Sequence, residues 1–80
     1  MTHTEKLMAA FRIGLGLPDN FEVTKLTYRG IPEWDSVAHM QLVMEIETVF
    51  DIMLSTEDVI ALSSFDAAQT IVTRHGIAFS

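Results

Sequence analysis

The fold of this chain is decided by the stretch EWDSVAHM, residues 33–40, in which a loop of turn-forming residues gives way to a long segment with apolar periodicity. Asp35 suits the N-cap position, and after Ser36 the apolar residues recur at steps of three and four as far as about Phe50. This pattern predicts a helix that begins at Ser36. The serine hydroxyl would then lie beside backbone N–H groups without helical partners, at the positive end of the helix dipole, where a phosphate group is favoured.

The predicted central helix is apolar over a wide arc. The apolar residues are Val37, Met40, Leu42, Val43, Met44, Ile46, Val49 and Phe50. This arc is wider than packing against one neighbour requires, so the helix either contacts neighbours on two sides or closes the core while lining a small apolar cavity. Met40 and Met44 would suit such a cavity because methionine adapts to irregular space, and they are equally common as core residues.

A second helix is predicted near the start of the chain. Thr2 and Glu5 have the spacing of a capping box, and the apolar residues that follow predict a helix from about Thr4 to Leu15. Its apolar face consists of Leu7, Met8, Phe11 and Leu15. The residues expected to end it are Gly14, Gly16 and Pro18.

The last third of the chain predicts a short helix and a final longer one. Ser55 is expected to cap the short helix, and Ser63, with Asp66 three residues later, is expected to start the final helix. The residues expected to pack inward from the short helix are Val59, Ile60 and Leu62. Those of the final helix, which should end near His75 and Gly76, are Phe65, Ala68, Ile71 and Val72.

No periodicity persists between Leu17 and Asp35, the segment that connects the first two helices. Apolar residues that could anchor this segment to a core are Phe21, Val23, Leu26, Tyr28, Ile31 and Trp34. We therefore expect a long ordered loop, and a pair of short strands interrupted by Gly30 and Pro32 is the alternative. The predicted fold is all-α: a four-helix bundle of three longer helices and one short helix, forming a single domain over residues 1–80.

Charge is unevenly distributed along the chain. The net charge is −6, and the segment from Gly30 to Thr73 contains no lysine or arginine. It holds eight of the 11 acidic residues. Such a surface repels nucleic acid and anionic lipid and attracts basic patches on other proteins, although a purely solubilising role would give the same pattern.

The chain contains no cysteine, which excludes disulfides, thiolate metal sites and cysteine nucleophiles. Its histidines, His3, His39 and His75, do not have the spacing of metal ligands. The sequence has neither the pattern of a signal peptide nor an apolar stretch long enough to span a membrane. These features lead us to expect a cytoplasmic monomer.

Three features occur together in the middle of the chain. The triplet Asp35-Ser36-Val37 opens the central helix, the sequence LVMEIE follows at residues 42–47, and Phe50 closes the helix. In an acidic chain with this order of helices, the combination resembles the acyl carrier protein family over essentially the whole length.

The resemblance implies that Ser36 is the attachment point of 4′-phosphopantetheine, which a separate phosphopantetheinyl transferase delivers from coenzyme A with the help of magnesium. The thiol of this arm would carry acyl groups as thioesters, as in fatty acid or polyketide biosynthesis, and the chain would be a phosphoprotein rather than an enzyme. Asp35 would cap the helix and help to hold the metal and Ser36 in the transferase complex. The resemblance also implies docking of acyl-loading and acyl-transfer enzymes at Val37, Met40, Glu45, Glu47, Asp51, Glu57 and Asp58.

Two features of the sequence depart from the fatty-acid carriers of this family. Trp34 precedes the aspartate in place of a small residue, and Ala38-His39-Met40-Gln41 stands where acids are usual. These differences favour a carrier for a specialised pathway. His39 lies three residues after Ser36, so a protonated ring could contact the phosphate of the arm or a partner, although such a histidine is more often simply exposed.

Other classes of function fit parts of the pattern. An acidic helical interaction domain that is never modified would need the same surface. An aminoacyl or peptidyl carrier is also similar, but the Gly-Gly pair before the serine is missing. An enzyme with Ser36 as nucleophile is disfavoured, because no glycine-flanked turn surrounds the serine and no histidine and acid are evidently placed to activate it.

Overall fold

The central helix forms where its periodicity predicts it, and the described residues form three further helices. The structure is a computed structural model that describes residues 2–79. The helices are α1 (His3–Leu15), α2 (Ser36–Phe50), α3 (Thr56–Ala61) and α4 (Phe65–Arg74). The described residues contain no β-strand. The predicted all-α fold is therefore confirmed for this part of the chain; Met1 and Ser80, which the predicted domain included, lie outside it.

Local hydrogen bonds explain where three of the helices begin. Thr2 and Glu5 form a capping box before α1, and the Asp35 carboxylate accepts a hydrogen bond from the N–H of Ala38 at the start of α2. Ser55 forms a second capping box with Asp58 before α3. These predicted caps are confirmed, and each satisfies backbone donors that a helix start leaves unpaired.

The start of α4 differs from the prediction by one residue. Ser64, not Ser63, is its N-cap, and the Ser64 hydroxyl accepts from the N–H of Ala67. Ser63 is instead held by its backbone: its carbonyl accepts a hydrogen bond from the N–H of Tyr28 at 2.8 Å. The prediction of Ser63 was wrong because either serine satisfies the local pattern, and only this contact with the loop distinguishes them.

The buried side chains form one hydrophobic cluster to which all the long helices contribute. The main contact between helices is that of α1 with α2. In α4, the residues predicted to face inward are all buried. In the region of α3, Leu62 is buried and Val59 half-buried, but Ile60 points outward with 77% of its surface exposed, so its predicted inward orientation was wrong.

Residues 16–35 form the predicted ordered loop. Val23, Leu26 and Trp34 are buried in the core, and an isolated bridge joins Thr27 to Ser64 at the start of α4. These anchors lie in the middle of the loop and at its C-terminal end. The loop therefore fixes the backbone immediately before Ser36.

A polar contact connects the end of α4 to α3. The Nε2 atom of His75 donates to a carboxylate oxygen of Asp58 at 2.9 Å. This hydrogen bond, together with one from the backbone N–H of Ser55, holds the pKa of the Asp58 carboxyl below its ordinary value of 3.8. α3 itself has no fully buried residue, so such polar contacts matter for its position.

Candidate functional site

Ser36 is the first residue of α2 and is exposed to solvent. Asp35 caps the helix through Oδ1, which accepts from the N–H of Ala38 at 2.8 Å. The backbone carbonyl of Asp35 accepts from the N–H of His39, also at 2.8 Å. The hydroxyl of Ser36 and Oδ2 of Asp35 have no hydrogen-bond partner among the described residues, and both residues are exposed.

The backbone around Ser36 suits a phosphate ester. Of the first N–H groups of α2, those of Ala38 and His39 are bound to Asp35, whereas the hydrogen bonds of the described residues include none from the N–H of Ser36 or Val37. Two free donors therefore lie at the positive end of the helix dipole, next to an accessible hydroxyl. This donor set fits a phosphodiester on Ser36.

An exposed row of apolar side chains leads away from Ser36 along α2. We call Val37, Met40 and Met44 the apolar row; they are 69%, 49% and 63% exposed. Their spacing of three and four residues places them on one side of the helix. Met40 and Met44 therefore do not fill the core, and Met44 lines an open depression between α1 and α2 rather than an internal cavity. The wide apolar arc of α2 is divided between the core and this surface.

The five acids predicted to dock partners differ in their surroundings. Glu47 accepts a hydrogen bond from the N–H of Leu54 at 2.9 Å, and Asp58 is bound by Ser55 and His75. Both acids therefore stabilise the chain itself. Of the remaining three, Glu45 is half-buried, whereas Asp51 and Glu57 are exposed.

Asp51 occupies an unusual backbone position. It is the C-cap of α2 and has a φ of 53°, in the left-handed region that aspartate tolerates better than most residues. This geometry presents the carboxylate at the end of α2 opposite to Ser36. An acidic group thus lies at the far end of the helix that carries the apolar row.

His39 does not point into solvent, because both of its ring nitrogens have partners inside the chain. The indole Nε1–H of Trp34 donates to Nδ1 of His39 at 3.0 Å. The Nε2 atom of His39 lies 2.8 Å from the carbonyl oxygen of Val59 and must donate to it, since a carbonyl only accepts. These two contacts define a neutral ring with its proton on Nε2. In this arrangement, the ring has no free donor for a phosphate.

Sequence reasoning did not find the aromatic cluster around this histidine. The rings of Trp34 and His39 lie nearly in parallel, at 17° to each other with centroids 6.1 Å apart, and the Tyr28 ring meets His39 edge-on at 5.1 Å. The spacing of five residues between Trp34 and His39 could have suggested a contact across a helix start. The contact with Val59 has no local signal, because 20 residues separate the partners.

A small cavity lies beside His39, between the loop, α2 and α3. Its volume is about 270 Å³, and it is lined by Tyr28, His39, Val59, Ile60, Leu62 and Ser63. A second depression, of about 170 Å³, lies between α1 and α2 and is lined by Ile13, Gly14, Gln41, Met44 and Glu45. The first of these is closer to Ser36 in sequence and contains no carboxylate.

The described residues contain neither a metal-binding cluster nor a helix that could span a membrane. No group of three or more histidine, cysteine, aspartate or glutamate side chains in residues 2–79 is arranged to hold a metal ion. None of the described helices is long and apolar enough to cross a membrane. In comparisons with known proteins, the chain matches no family model, no curated protein and no solved structure.

Proposed function

We propose that this chain is an acyl carrier protein, modified at Ser36 with 4′-phosphopantetheine from coenzyme A. The observation that carries the proposal is the exposed hydroxyl of Ser36 beside two free N–H groups, at the start of a helix that bears a solvent-exposed apolar row. The absence of cysteine from the chain agrees with a thiol supplied by an attached group.

In the modification step, the Oγ atom of Ser36 forms a bond to phosphorus while the pyrophosphate bond of coenzyme A breaks. The nucleotide half of coenzyme A leaves, and the hydroxyl proton passes to the transferase or to water. Asp35 keeps the helix start in place through Oδ1, which leaves Oδ2 available for the magnesium ion of the transferase complex. The free N–H groups of Ser36 and Val37 would stabilise the new anion by about 0.3–1 kcal/mol.

The attached arm would supply the terminal thiol on which acyl groups are carried as thioesters. The chain's own contribution is to present that arm and to dock the enzymes that load and unload it. The apolar row offers a contact surface next to the attachment point, and Asp51 and Glu57 offer exposed negative charge for basic patches on these enzymes.

We further propose that the carrier serves a specialised pathway. The departures from the fatty-acid carriers are Trp34 and the stretch Ala38-His39-Met40-Gln41, and Trp34 is bonded to His39 of that stretch. They therefore form one structural feature beside Ser36 rather than two separate substitutions. A partner that docks at the start of α2 would meet this aromatic cluster in place of acidic side chains.

Intact mass after coexpression with a phosphopantetheinyl transferase tests the proposal. We expect the mass to increase by one phosphopantetheine, and Ser36→Ala to abolish the increase. Ser63→Ala is the matched control, because Ser63 is also exposed but lies outside the helix start; it should be modified like the wild type. An unchanged wild-type mass with several transferases would refute the carrier function.

The alternative of an unmodified interaction domain is favoured by the same exposed row and acidic groups. It predicts that Ser36→Ala retains full binding of basic partners, whereas a carrier should lose those contacts that depend on the arm. Mass spectrometry of the native protein would also separate acyl from aminoacyl or peptidyl cargo. An enzyme with Ser36 as nucleophile finds no support in His39, whose ring nitrogens are bound to Trp34 and Val59.

A further inference from the structure

Three methionine side chains are exposed on this molecule, although methionine is usually buried in folded proteins. Met40 and Met44 belong to the apolar row and are 49% and 63% exposed, and Met53, between α2 and α3, is 83% exposed. Met8 is the fourth methionine that the structure describes, and it is half-buried against the core. Solvent therefore reaches three thioether groups freely and the fourth only in part.

An accessible thioether reacts with hydrogen peroxide to give methionine sulfoxide. The sulfur attacks one peroxide oxygen and the O–O bond breaks, so that the sulfur gains this oxygen atom and the other oxygen leaves as water with both protons. Methionine gives up two electrons, and the peroxide is reduced. The product is a polar and chiral group in place of a flexible apolar one. A small oxidant can thus turn an exposed apolar contact into a polar one.

Met40 and Met44 occupy adjacent turns on the same side of α2. Met40 lies four residues after Ser36, so the pair extends the surface beside the candidate attachment point. The third member of the apolar row is Val37, which has no sulfur. Oxidation of the pair would leave one apolar side chain of the three, and a partner that covers the row would have to bury two sulfoxide oxygens.

Oxidation at these two positions changes the surface and leaves the core intact. Water can hydrate a sulfoxide oxygen on Met40 or Met44, because both side chains are exposed in the free protein. Met8 differs, since a polar oxygen there would lie against the hydrophobic core with incomplete hydration. The reaction with peroxide should therefore weaken docking before it lowers the stability of the fold.

We propose that Met40 and Met44 form a peroxide-sensitive modification site, and that their oxidation removes the apolar docking surface beside Ser36. The change of the surface follows from the fold alone. The inference rests on the proposed function in one respect: in a carrier, oxidation slows the enzymes that dock on the apolar row. The modification is reversible, because methionine sulfoxide reductases restore the thioether.

Peptide mass spectrometry after graded treatment with hydrogen peroxide tests the site on the unmodified protein. The chain has no cysteine, so no thiol competes for the oxidant. We expect one added oxygen on Met40, Met44 and Met53 about tenfold faster than on Met8, because susceptibility follows exposure. Oxidation of Met8 as fast as that of the pair would contradict the proposed site.

Retention on a phenyl column measures the loss of apolar surface without any partner enzyme. The oxidised wild type should elute earlier than the untreated protein, with an unchanged far-ultraviolet circular dichroism spectrum. The double variant Met40→Leu, Met44→Leu keeps an apolar row that peroxide cannot oxidise, so most of the shift should disappear. The control Met53→Leu should retain it. If the double variant does not fold, Met53→Leu alone decides, since loss of its shift would assign the effect to Met53.

The rate of modification by a phosphopantetheinyl transferase measures the effect on docking. After peroxide is removed with catalase, kcat/KM for the oxidised wild type should be about tenfold lower, and methionine sulfoxide reductase should restore it. The double variant should keep its rate after the same treatment, whereas Met53→Leu should lose rate like the wild type. An unchanged rate after complete oxidation of Met40 and Met44 would overturn the role in docking.

The two proposals fail separately. If no transferase modifies the untreated wild type, the carrier function is refuted, and the order of oxidation and the phenyl-column shift still decide whether the pair is the oxidised surface. If the wild type is modified at Ser36 but its column retention and its rate do not respond to oxidation of the pair, the carrier function stands and the oxidation site is refuted.

Discussion

Gly14 in α1 lies directly against the backbone of Leu42 in α2: a Cβ atom added to Gly14 would be 2.7 Å from the Cα atom of Leu42. This is far shorter than a van der Waals contact between carbon atoms. The close approach occurs within the main helix–helix contact of the molecule. Glycine at this position therefore sets the distance between α1 and the helix that carries Ser36.

Gly14→Ala should lower the free energy of unfolding, because the new methyl group can be accommodated only if the helices separate. We expect a cost of about 1–3 kcal/mol from overpacking, offset in part by the better helix propensity of alanine, about 1 kcal/mol. Denaturant unfolding gives the value. Gly30→Ala is the comparison: a Cβ there would be 2.7 Å from the Thr27 hydroxyl and 3.0 Å from the Thr27 carbonyl oxygen, but this clash lies within one exposed turn and should cost less than one that separates two helices. A Gly14→Ala protein as stable as the wild type would contradict the predicted clash.

Asp58→Asn should change how stability depends on pH. The contact with His75 lowers the pKa of Asp58 in the folded state. The ionised carboxylate therefore stabilises the protein at pH values above 3.8, the ordinary pKa of the group. This contribution is lost as the pH falls through the lower pKa of the folded state. The wild type should therefore exceed the variant in stability at about pH 6 and lose this advantage near about pH 3. Unfolding curves at several pH values measure the difference, with the exposed Asp19→Asn as control. An advantage independent of pH would argue against the pair.

Glu47→Ala should destabilise the protein by about 0.5–1.5 kcal/mol, because the N–H of Leu54 loses its acceptor. Glu47→Gln keeps an acceptor oxygen and should recover most of this loss in thermal or denaturant unfolding.

Asp51→Asn removes the same charge at an exposed position that asparagine tolerates, so stability should change by less than about 0.5 kcal/mol. If the carrier proposal holds, Asp51→Asn should slow modification by a transferase with a basic docking surface. Equal destabilisation by Glu47→Ala and Asp51→Asn would show that the contact with Leu54 contributes little.

Val37→Glu tests the apolar row as a docking surface. The side chain is 69% exposed, so the substitution should leave the free energy of unfolding within about 0.5 kcal/mol of the wild type. The rate of modification of Ser36, as kcat/KM, should fall about tenfold if Val37 is a docking hot spot. Ile13→Glu in α1 is matched in exposure, at 65%, and should have a smaller effect. Equal losses in both variants would point to added charge rather than to the row.

The helix starts could be predicted from sequence because their determinants are local. Thr2, Asp35 and Ser55 each bond to a backbone group three residues later, and this spacing can be seen in the sequence itself. The final helix shows the limit of this reasoning. Ser63 and Ser64 have the same local potential, and the choice between them depends on a contact with Tyr28, which is distant in sequence.

The candidate site was predictable in position but not in its surroundings. Periodicity identified α2 and its first residue, yet it could not divide the wide apolar arc between core and surface. The exposure of Met40 and Met44 depends on which face of α2 packs against α1. The partners of His39 could not be predicted from the sequence either, because the hydrogen bond to Val59 depends on where α3 lies. Tertiary packing, rather than propensity, decides both outcomes.

The bond between Trp34 and His39 has a consequence for any attempt to change the specificity of this protein. Residues 34–39 therefore form one structural unit. Replacing His39 alone leaves the indole N–H of Trp34 without an acceptor, and replacing Trp34 alone leaves Nδ1 of His39 without a donor. Grafting the start of this helix onto another scaffold would require both residues and a carbonyl in the place of Val59. A double-mutant cycle on the pair should show strong coupling, and redesign should exchange the two positions together.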